Sequence, residues 1–154
     1  MIEKLKLKDA KEAAKIYNKG LQIEIPKGDA ALNETVKHLK EVHTFVYKQN
    51  QTIKGLISFI PQDENKIKID FICVVISRKG IGKKLIKKLA DFSIKRGIKF
   101  IYSNVSSKDK RVMNFYKNCG FKIYGRYFSG KTFVLYRIKA KPEWIKEALR
   151  RTPN

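Results

Sequence analysis

The sequence predicts a single α+β domain, residues 1–154, with a mixed, mostly antiparallel central sheet flanked by helices. Helical spacing and strand alternation follow each other in the order β-α-α-β-β-β-α-β-α-β-β. Three consecutive hairpin-linked strands cannot belong to a doubly wound parallel sheet, whereas a later strand–helix–strand unit is parallel and right-handed. The sheet is therefore mixed. A chain of 154 residues, 43% of them hydrophobic, is long enough to bury one core.

The first half of the chain predicts a short strand, two helices and three hairpin-linked strands. The short strand rests on three apolar residues, Ile2, Leu5 and Leu7. Asp9 and Glu12 have the spacing of a capping box, which predicts a first helix ending at Gly20. After a loop over residues 21–30, apolar residues at helical spacing predict a second helix, and these are Leu32, Val36 and Leu39. Turn residues and apolar stretches then predict strands over 44–47, 53–60 and 67–75.

The second half predicts a long helix, a strand, a short helix, a hairpin and a terminal helix. The long helix begins at the glycine turn around Gly80, carries apolar residues at helical spacing and ends at Gly97. The next elements are a strand over 99–103, a helix over 109–118 and a hairpin of 121–128 with 132–138. Residues 142–151 carry Trp144 and Ile145 on one helical face, which predicts a helix that docks on the body.

The stretch SRKGIGKKL, residues 77–85, places two glycines and several cations between an apolar strand and the long helix. The first N–H groups of a helix have no internal partner, and glycine lets such donors approach a ligand closely. Because the helix N-terminus also carries partial positive charge, the turn is a candidate site for phosphate or pyrophosphate. A GxG turn alone is better explained by the tight geometry of a helix start.

A second glycine motif, GRYFSGKT over 125–132, matches the P-loop pattern GxxxxGK[ST]. A P-loop requires a strand before it and a helix after it. The residues that follow, FVLY, predict a strand, so we interpret the motif as a hairpin turn. His38 and His43 have no metal-ligand neighbours in the sequence, and no metal site is predicted.

The formal net charge of +21 attracts polyanions such as nucleic acid. Lysine dominates and is spread along the whole chain, which favours a general coating of exposed faces over a dedicated nucleic-acid module. Charged residues interrupt every apolar run, so no membrane span is expected. The charged N-terminus is unlike a signal peptide, and Cys73 and Cys119 have apolar neighbours. We therefore expect a cytoplasmic protein with reduced thiols.

The stretch NFYKNCGFKIYGRY, residues 114–127, completes a composite pattern. In order, it is a strand, a basic GxG turn, a long helix, a strand, a short helix with a Tyr, then Gly-Phe and a strand. This pattern resembles the GNAT-superfamily N-acetyltransferases, whose signature [QR]-x-x-G-x-[GA] is followed by FYxxxGF. The resemblance covers about residues 53–138 and implies the GNAT-like acyl-CoA N-acyltransferase fold. Ser77 occupies the Gln or Arg position of the signature, and Arg78 follows it.

The resemblance implies acetyl-CoA as co-substrate, bound at two places. The pyrophosphate would be held by the turn, at Arg78, Lys79, Gly80, Ile81, Gly82 and Lys83. The pantetheine arm would pair with the backbone of Ile72, Cys73 and Val74. Tyr116 matches the family's general acid, which protonates the departing thiolate, and a phenol with an ordinary pKa near 10 can do so. The alternative is that Tyr116 only packs with Phe115 against the core.

The implied reaction is acetyl transfer to a primary amine by direct attack, without a covalent enzyme intermediate. Asp70 either faces the cleft as a base or is satisfied at the strand edge, and a water chain is a further possibility for the base. Glu24 and Asp29, within 21–32, are expected to meet the cationic amine of a small-molecule or protein acceptor. The rival hypothesis is a non-catalytic, basic nucleic-acid- or ribosome-associated module on the same scaffold. The chain is expected to be a monomer or homodimer.

Overall fold

The structure is a computed structural model that describes residues 1–20, 29–75, 80–129 and 133–150, with backbone alone for residues 29–31, 129 and 133. The strands are β1 (Ile2–Lys4), β2 (His43–Gln49), β3 (Thr52–Pro61), β4 (Lys66–Val74), β5 (Phe100–Ser106), β6 (Lys122–Ser129) and β7 (Phe133–Ala140). The α-helices are α1 (Ala10–Gly20), α2 (Asp29–Glu41), α3 (Ile81–Lys95), α4 (Lys110–Asn118) and α5 (Pro142–Arg150). A 3-10 helix, Leu7–Asp9, precedes α1.

The seven strands form one mixed sheet in the order β1-β2-β3-β4-β5-β7-β6. Strands β1, β2 and β3 pair antiparallel, as do β5, β7 and β6. Strands β4 and β5 are parallel, and helix α3 lies between them in the chain, as a crossover connection requires. The predicted fold class, α+β with a mixed and mostly antiparallel sheet, is confirmed.

The chain divides into two compact units, of which the first comprises Met1–Ile60 with Asp70–Leu85. Its core forms where the apolar faces of α1 and α2 pack on β2 and β3. The Tyr17 ring of α1 packs edge-on against that of Phe71, with 4.9 Å between the ring centroids. The buried members of this core are Ala13, Ala14, Tyr17, Leu39, Val46, Ile53 and Leu56.

The second unit comprises Pro61–Ile69 with Ile86–Asn154. Its largest fully buried side chains come from α3, the central strands and α5, and they are Ile67, Ile86, Leu89, Ile101, Ile138 and Ile145. The predicted docking of the terminal helix is confirmed, because Ile145 is fully buried and the Trp144 ring lies 6.1 Å from that of Phe100.

Two predictions for the N-terminus are wrong. Leu7 lies in the 3-10 helix and is 75% exposed, because the first strand ends at Lys4. Asp9 and Glu12 do not form a capping box, since the helical run already begins after Lys6. Asp9 Oδ2 instead accepts a hydrogen bond from Lys48 Nζ at 2.6 Å, and Glu12 Oε2 accepts one from the backbone N–H of Ile53 at 3.1 Å. These carboxylates therefore tie the start of α1 to neighbouring strands.

The P-loop-like motif is a hairpin, as predicted. Strand β6 ends at Ser129, β7 begins at Phe133, and the two strands are antiparallel. Most of the predicted loop over 21–30 lies outside the described residues, and α2 already begins at Asp29. None of the described helices is long and apolar enough to cross a bilayer.

Candidate active site

The N-terminus of α3 is shaped for close approach by an anion. Gly80 has φ +74°, in the left-handed region that favours glycine, and a Cβ built there would meet no atom of the described residues within 4 Å. The Lys84 N–H donates to the Gly80 carbonyl at 3.1 Å, which makes Gly80 the residue before the first helical turn. The N–H groups of Ile81, Gly82 and Lys83 therefore precede the first intrahelical donor, and this turn contains no acidic residue.

The same helix end is fixed by a close contact with β3. Ile81 is buried, and a Cβ built on Gly55 would lie 2.8 Å from Ile81 Cγ2 and 3.2 Å from the Cys73 carbonyl oxygen. Only glycine at position 55 lets the helix start sit this close to the strand. The contact anchors the Ile81 side chain in the first unit, so the orientation of the helix start is set by packing. Arg78 and Lys79 lie outside the described residues, and their predicted contacts stay predictions.

The three residues predicted to bind the pantetheine arm, Ile72, Cys73 and Val74, end strand β4 and are half-buried. The parallel ladder of β4 with β5 runs over three residue pairs, and its last pair is Lys68 with Tyr102. The predicted pantetheine-binding residues therefore lie beyond that ladder. Burial raises the pKa of the Cys73 thiol to about 12, so this side chain is a neutral thiol at physiological pH.

Tyr116 lies on α4 and is buried, with 3% of its surface exposed. Its ring packs edge-on against those of Phe115 and Phe121, at 5.5 and 5.0 Å between centroids. Its hydroxyl oxygen accepts a long hydrogen bond of 3.5 Å from Ser103 Oγ on β5. The buried ring is consistent with a core residue. The hydroxyl hydrogen, which this bond does not use, is consistent with a general acid.

Burial raises the pKa of Tyr116 to about 12, although the Ser103 hydroxyl opposes the shift. The phenol therefore stays protonated throughout the physiological range. A weaker acid is a poorer donor to a solvated thiolate, whose conjugate thiol has a pKa near 8.5. Desolvation likewise raises the pKa of the half-buried Cys73 thiol to about 12. A thiolate formed in a water-excluded site would therefore match the phenol in proton affinity.

Asp70 is satisfied by side chains from three elements. Its Oδ2 atom accepts hydrogen bonds from Ser58 Oγ at 2.7 Å and Tyr17 OH at 3.0 Å. His38 Nε2, from α2, lies 2.9 Å from the same oxygen. This cluster of Tyr17, His38, Ser58 and Asp70 lies wholly within the first unit.

The hydrogen bonds of this cluster define the roles that its members can take. Burial, with the negative Asp70 beside it, raises the pKa of Tyr17, so the Tyr17 phenol is neutral and donates to Asp70. An Nε2–H of His38 directed at Asp70 leaves the lone pair on Nδ1, the arrangement that a proton-accepting imidazole needs. The His38 side chain is 37% exposed while that of Asp70 is 18% exposed, so the histidine connects the buried carboxylate to the outside.

Sequence reasoning considered His38 only as a metal ligand and missed this cluster. Tyr17, His38 and Asp70 are separated by up to 53 positions, so no local motif joins them. The sequence held only a weak indication of this cluster. A polar residue within each of two apolar helix faces, and an acid within an apolar strand, must find partners on burial. Glu24 lies outside the described residues, and for Asp29 the structure gives the helix start alone.

Comparison with known proteins agrees with this fold and these motifs. The profile of the acetyltransferase (GNAT) family matches residues 10–121. Among solved structures, an aminoglycoside 6'-N-acetyltransferase complexed with coenzyme A superposes with a TM-score of 0.78 at 16% identity, covering 92% of this chain and 97% of that one.

Two further structures show the same fold. The aminoglycoside 6'-N-acetyltransferase from Enterococcus faecium has a TM-score of 0.76 at 17% identity, covering 92% of this chain and 97% of that one. Ard1 from Thermoplasma volcanium has a TM-score of 0.74 at 18% identity, covering 92% and 96%. The family profile spans well over half of the chain, and it includes the α3 glycine turn, Tyr116 and the Gly-Phe pair that follows α4. The chain therefore belongs to the GNAT acetyltransferase family.

Proposed function

We propose that this acetyltransferase moves the acetyl group of acetyl-CoA to a primary amine by direct attack. The observation that carries the proposal is the α3 N-terminus, with its open Gly80, its first-turn amides and no acidic residue. Such a helix end suits a diphosphate, because N–H donors and the helix dipole act in the same direction. We assign the pyrophosphate to the main chain of Gly80–Lys83, with Arg78 and Lys79 adding charge. The pantetheine arm is assigned to Ile72–Val74.

In this proposal, Tyr116 supplies the proton that the departing sulfur needs. The amine nitrogen forms a bond to the thioester carbonyl carbon, and the carbon–sulfur bond breaks with its electron pair going to sulfur. The Tyr116 hydroxyl transfers its proton to that thiolate, and solvent later reprotonates the phenolate. Holding the amine and the thioester together supplies most of the remaining rate enhancement. The acceptor is an amine on a small molecule or a protein, and the enzyme is assigned to the cytoplasm as a monomer or homodimer.

We further propose that His38 accepts the proton that the attacking amine must lose. Its Nδ1 lone pair is available when Nε2–H is directed at Asp70, and the carboxylate stabilises the imidazolium that forms. His38 contacts the neutral Tyr17 of α1 and Asp70 of β4, and Asp70 also accepts a hydrogen bond from the Ser58 hydroxyl of β3. None of these can serve as an alternative exposed base. A buried cluster that only docks α2 onto the sheet is the competing explanation.

Replacing His38 by Gln tests this role, because Gln can still donate to Asp70 but cannot hold a second proton. We expect kcat/KM to fall about 100-fold, the low end for loss of a general base. The shape of the pH–rate profile should also differ between wild type and His38→Gln, because Gln cannot take up a proton. The measurement is a pH–rate profile together with the thermal midpoint. A loss of stability with an unchanged profile would assign His38 to helix docking.

Ligand-dependent unfolding tests the proposed function as a whole. Acetyl-CoA at 100 times its dissociation constant should raise the free energy of unfolding by about 2.7 kcal/mol, which is about 5–10 °C for a chain of this size. Free CoA should act similarly and ATP far less at 300 mM KCl, where diffuse attraction to the basic surface is screened. Equal shifts with ATP and acetyl-CoA would contradict the assignment. Release of free CoA thiol with a panel of amines would then identify the acceptor.

A further inference from the structure

The second unit carries an exposed basic and aromatic surface that the acetyl-transfer proposal does not use. It lies on one face of the strands β4, β5, β7 and β6. Strand register places Lys68 beside Tyr102, Tyr102 beside Lys139, and Lys139 beside Lys122. Directly paired residues project to the same face of a sheet. A single row across four strands therefore carries three lysines and a tyrosine.

The neighbouring positions extend this row in both directions. Lys66 pairs with Phe100, and Asn104 pairs with Arg137. The start of α5 adds Lys141 and Trp144. We call the whole set the lysine–aromatic face, and its members are Lys66, Lys68, Phe100, Tyr102, Lys122, Tyr124, Tyr127, Arg137, Lys139, Lys141 and Trp144. Four strands span about 14 Å, and the five residues from Arg137 to Lys141 span about 13 Å.

The cations of this face lie over aromatic rings. Lys139 Nζ is 4.5 Å from the Phe100 ring centroid and 5.0 Å from that of Tyr124. The Arg137 guanidinium is 4.8 Å from the Tyr127 centroid. Lys122 Nζ is 4.6 Å from the Trp144 centroid. Each ring face is thus occupied by the chain's own cation, a contact worth about 0.5–1 kcal/mol at exposed sites, which an incoming stacked group can replace.

Carboxylates do not neutralise this charge. Within the described part of the chain, no ion pair joins a cation of the lysine–aromatic face to an acid. The acids nearest to it in sequence are Asp63, Glu64 and Glu143, which are exposed, and Asp70, whose Oδ2 atom is taken up by Tyr17, His38 and Ser58. Six cations therefore share about 200 Å² of sheet surface without an internal counter-charge. The complementary partner must be a polyanion.

A cavity of about 270 Å³ opens on this face. The nine residues that line it include no acid, and they are Gln62, Lys66, Lys68, Tyr102, Ser103, Asn104, Tyr124, Tyr127 and Arg137. Burial raises the pKa of Tyr124, although Arg137 opposes the shift, so this phenol is a neutral donor. The lining thus offers three cations, amides and phenol hydroxyls to one anionic group, together with flat aromatic surfaces.

From this arrangement we propose that the lysine–aromatic face binds single-stranded RNA. Cations contact the phosphates and the aromatic rings stack on unpaired bases, the combination by which open sheets bind single strands. A duplex would leave the rings without a stacking partner, because its bases are already stacked. An acidic protein would satisfy the charges and leave the rings unused. This inference does not depend on acetyl transfer and involves residues of the second unit alone.

The test is fluorescence anisotropy of a labelled twelve-nucleotide oligouridylate with the full chain. We expect a dissociation constant on the order of 10 µM at 100 mM KCl, and a slope of log K against log[KCl] of about −3 for four phosphate contacts. Saturating acetyl-CoA should leave binding unchanged. Binding of a 12-base-pair RNA duplex as tight as that of the single strand would overturn the proposal.

Matched variants distinguish RNA binding at the lysine–aromatic face from diffuse attraction to the net charge of the chain. Arg137→Gln with Lys139→Gln should weaken oligouridylate binding about tenfold, whereas Lys11→Gln with Lys15→Gln, on the exposed side of α1, removes the same charge and should change it less than twofold. Equal losses in both pairs would mean diffuse attraction and would overturn the proposal.

Stacking is tested separately with Tyr124→Ala, which alters a side chain that is 46% exposed. This variant should weaken oligouridylate binding at least fivefold. Binding of inorganic polyphosphate, which has charge but no bases, should be unchanged. If both ligands lose affinity equally, or neither does, the aromatic rings do not stack on bases and the proposal fails. Thermal midpoints within 2 °C of wild type, about 1 kcal/mol or less, would confirm that each variant is folded.

Discussion

The Tyr116→Phe variant should lose between about 10² and 10⁴ in kcat while its KM for acetyl-CoA stays within a few-fold of wild type. The variant keeps the ring packed against Phe115 and Phe121 and removes only the hydroxyl that we assign as the proton donor. Without that proton, sulfur must leave as a free thiolate in a site with little water. Initial rates over a range of acetyl-CoA concentrations measure both constants. A wild-type rate at every pH would reduce Tyr116 to a core residue.

The pH dependence of this prediction has a definite sign. Since the pKa of Tyr116 is raised to about 12, the acid stays protonated and should not limit kcat below about pH 11. The raised value also contributes stability that is fully present below about pH 10 and is lost as the pH rises from 10 to 12. Tyr116→Phe should therefore lose stability less steeply over that window. Ser103→Ala is the matched control, because it removes the neighbouring hydroxyl and leaves the phenol, and its kcat should change by a few-fold at most.

The Gly80→Asp variant should bind CoA about 10 to 100 times more weakly than Gly80→Asn. The two side chains have the same shape, and both residues tolerate positive φ better than other non-glycine residues. The open space at Gly80 can accept either one. Only Asp places a negative charge beside the proposed diphosphate, and a repulsion of about 1.4–2.8 kcal/mol gives this range at the dielectric of a protein surface.

Two controls make the Gly80 comparison specific to the phosphates. Pantetheine lacks the diphosphate, so calorimetry should give equal affinities for it in the Asp and Asn variants. An Asp at the start of α3 is favourable for the helix dipole, so its thermal midpoint should be at or above that of the Asn variant. Equal CoA affinities in both variants would show that the diphosphate does not bind at this helix end.

Much of the fold was predictable from sequence because its elements are encoded locally. Alternation of apolar and polar residues predicted the strands, and apolar residues at helical spacing predicted α2, α3 and α5 to within a few residues. The hairpin at the P-loop-like motif was predictable because FVLY cannot begin a helix as readily as a strand. The capping box of Asp9 and Glu12 was wrong because both carboxylates bond to β2 and β3, which are remote in sequence. Leu7 was wrong because the chain enters a 3-10 helix after Lys6.

In the candidate site, too, the features encoded locally in the sequence were predictable, and those that depend on remote contacts were not. The glycine turn, Tyr116 and the Gly-Phe pair form a pattern in linear order, which is why the sequence could indicate an acetyltransferase of the GNAT family. The charge of +21 indicated attraction to polyanions, yet composition cannot tell a uniform coating from a cluster. Strand register tells them apart, since it brings Lys68, Tyr102 and Lys139 side by side from three separate strands.

By itself, then, the sequence determined the order and type of the elements, the mixed sheet and the family, because each depends on short-range spacing of apolar residues and glycines. The tertiary structure alone decided which polar groups meet. His38 reaches Asp70 only when α2 is docked on the sheet at one rotation, and that rotation is set by the burial of Leu39 and its neighbours. Side-chain pairing across 32 positions depends on that packing, and no local periodicity encodes it.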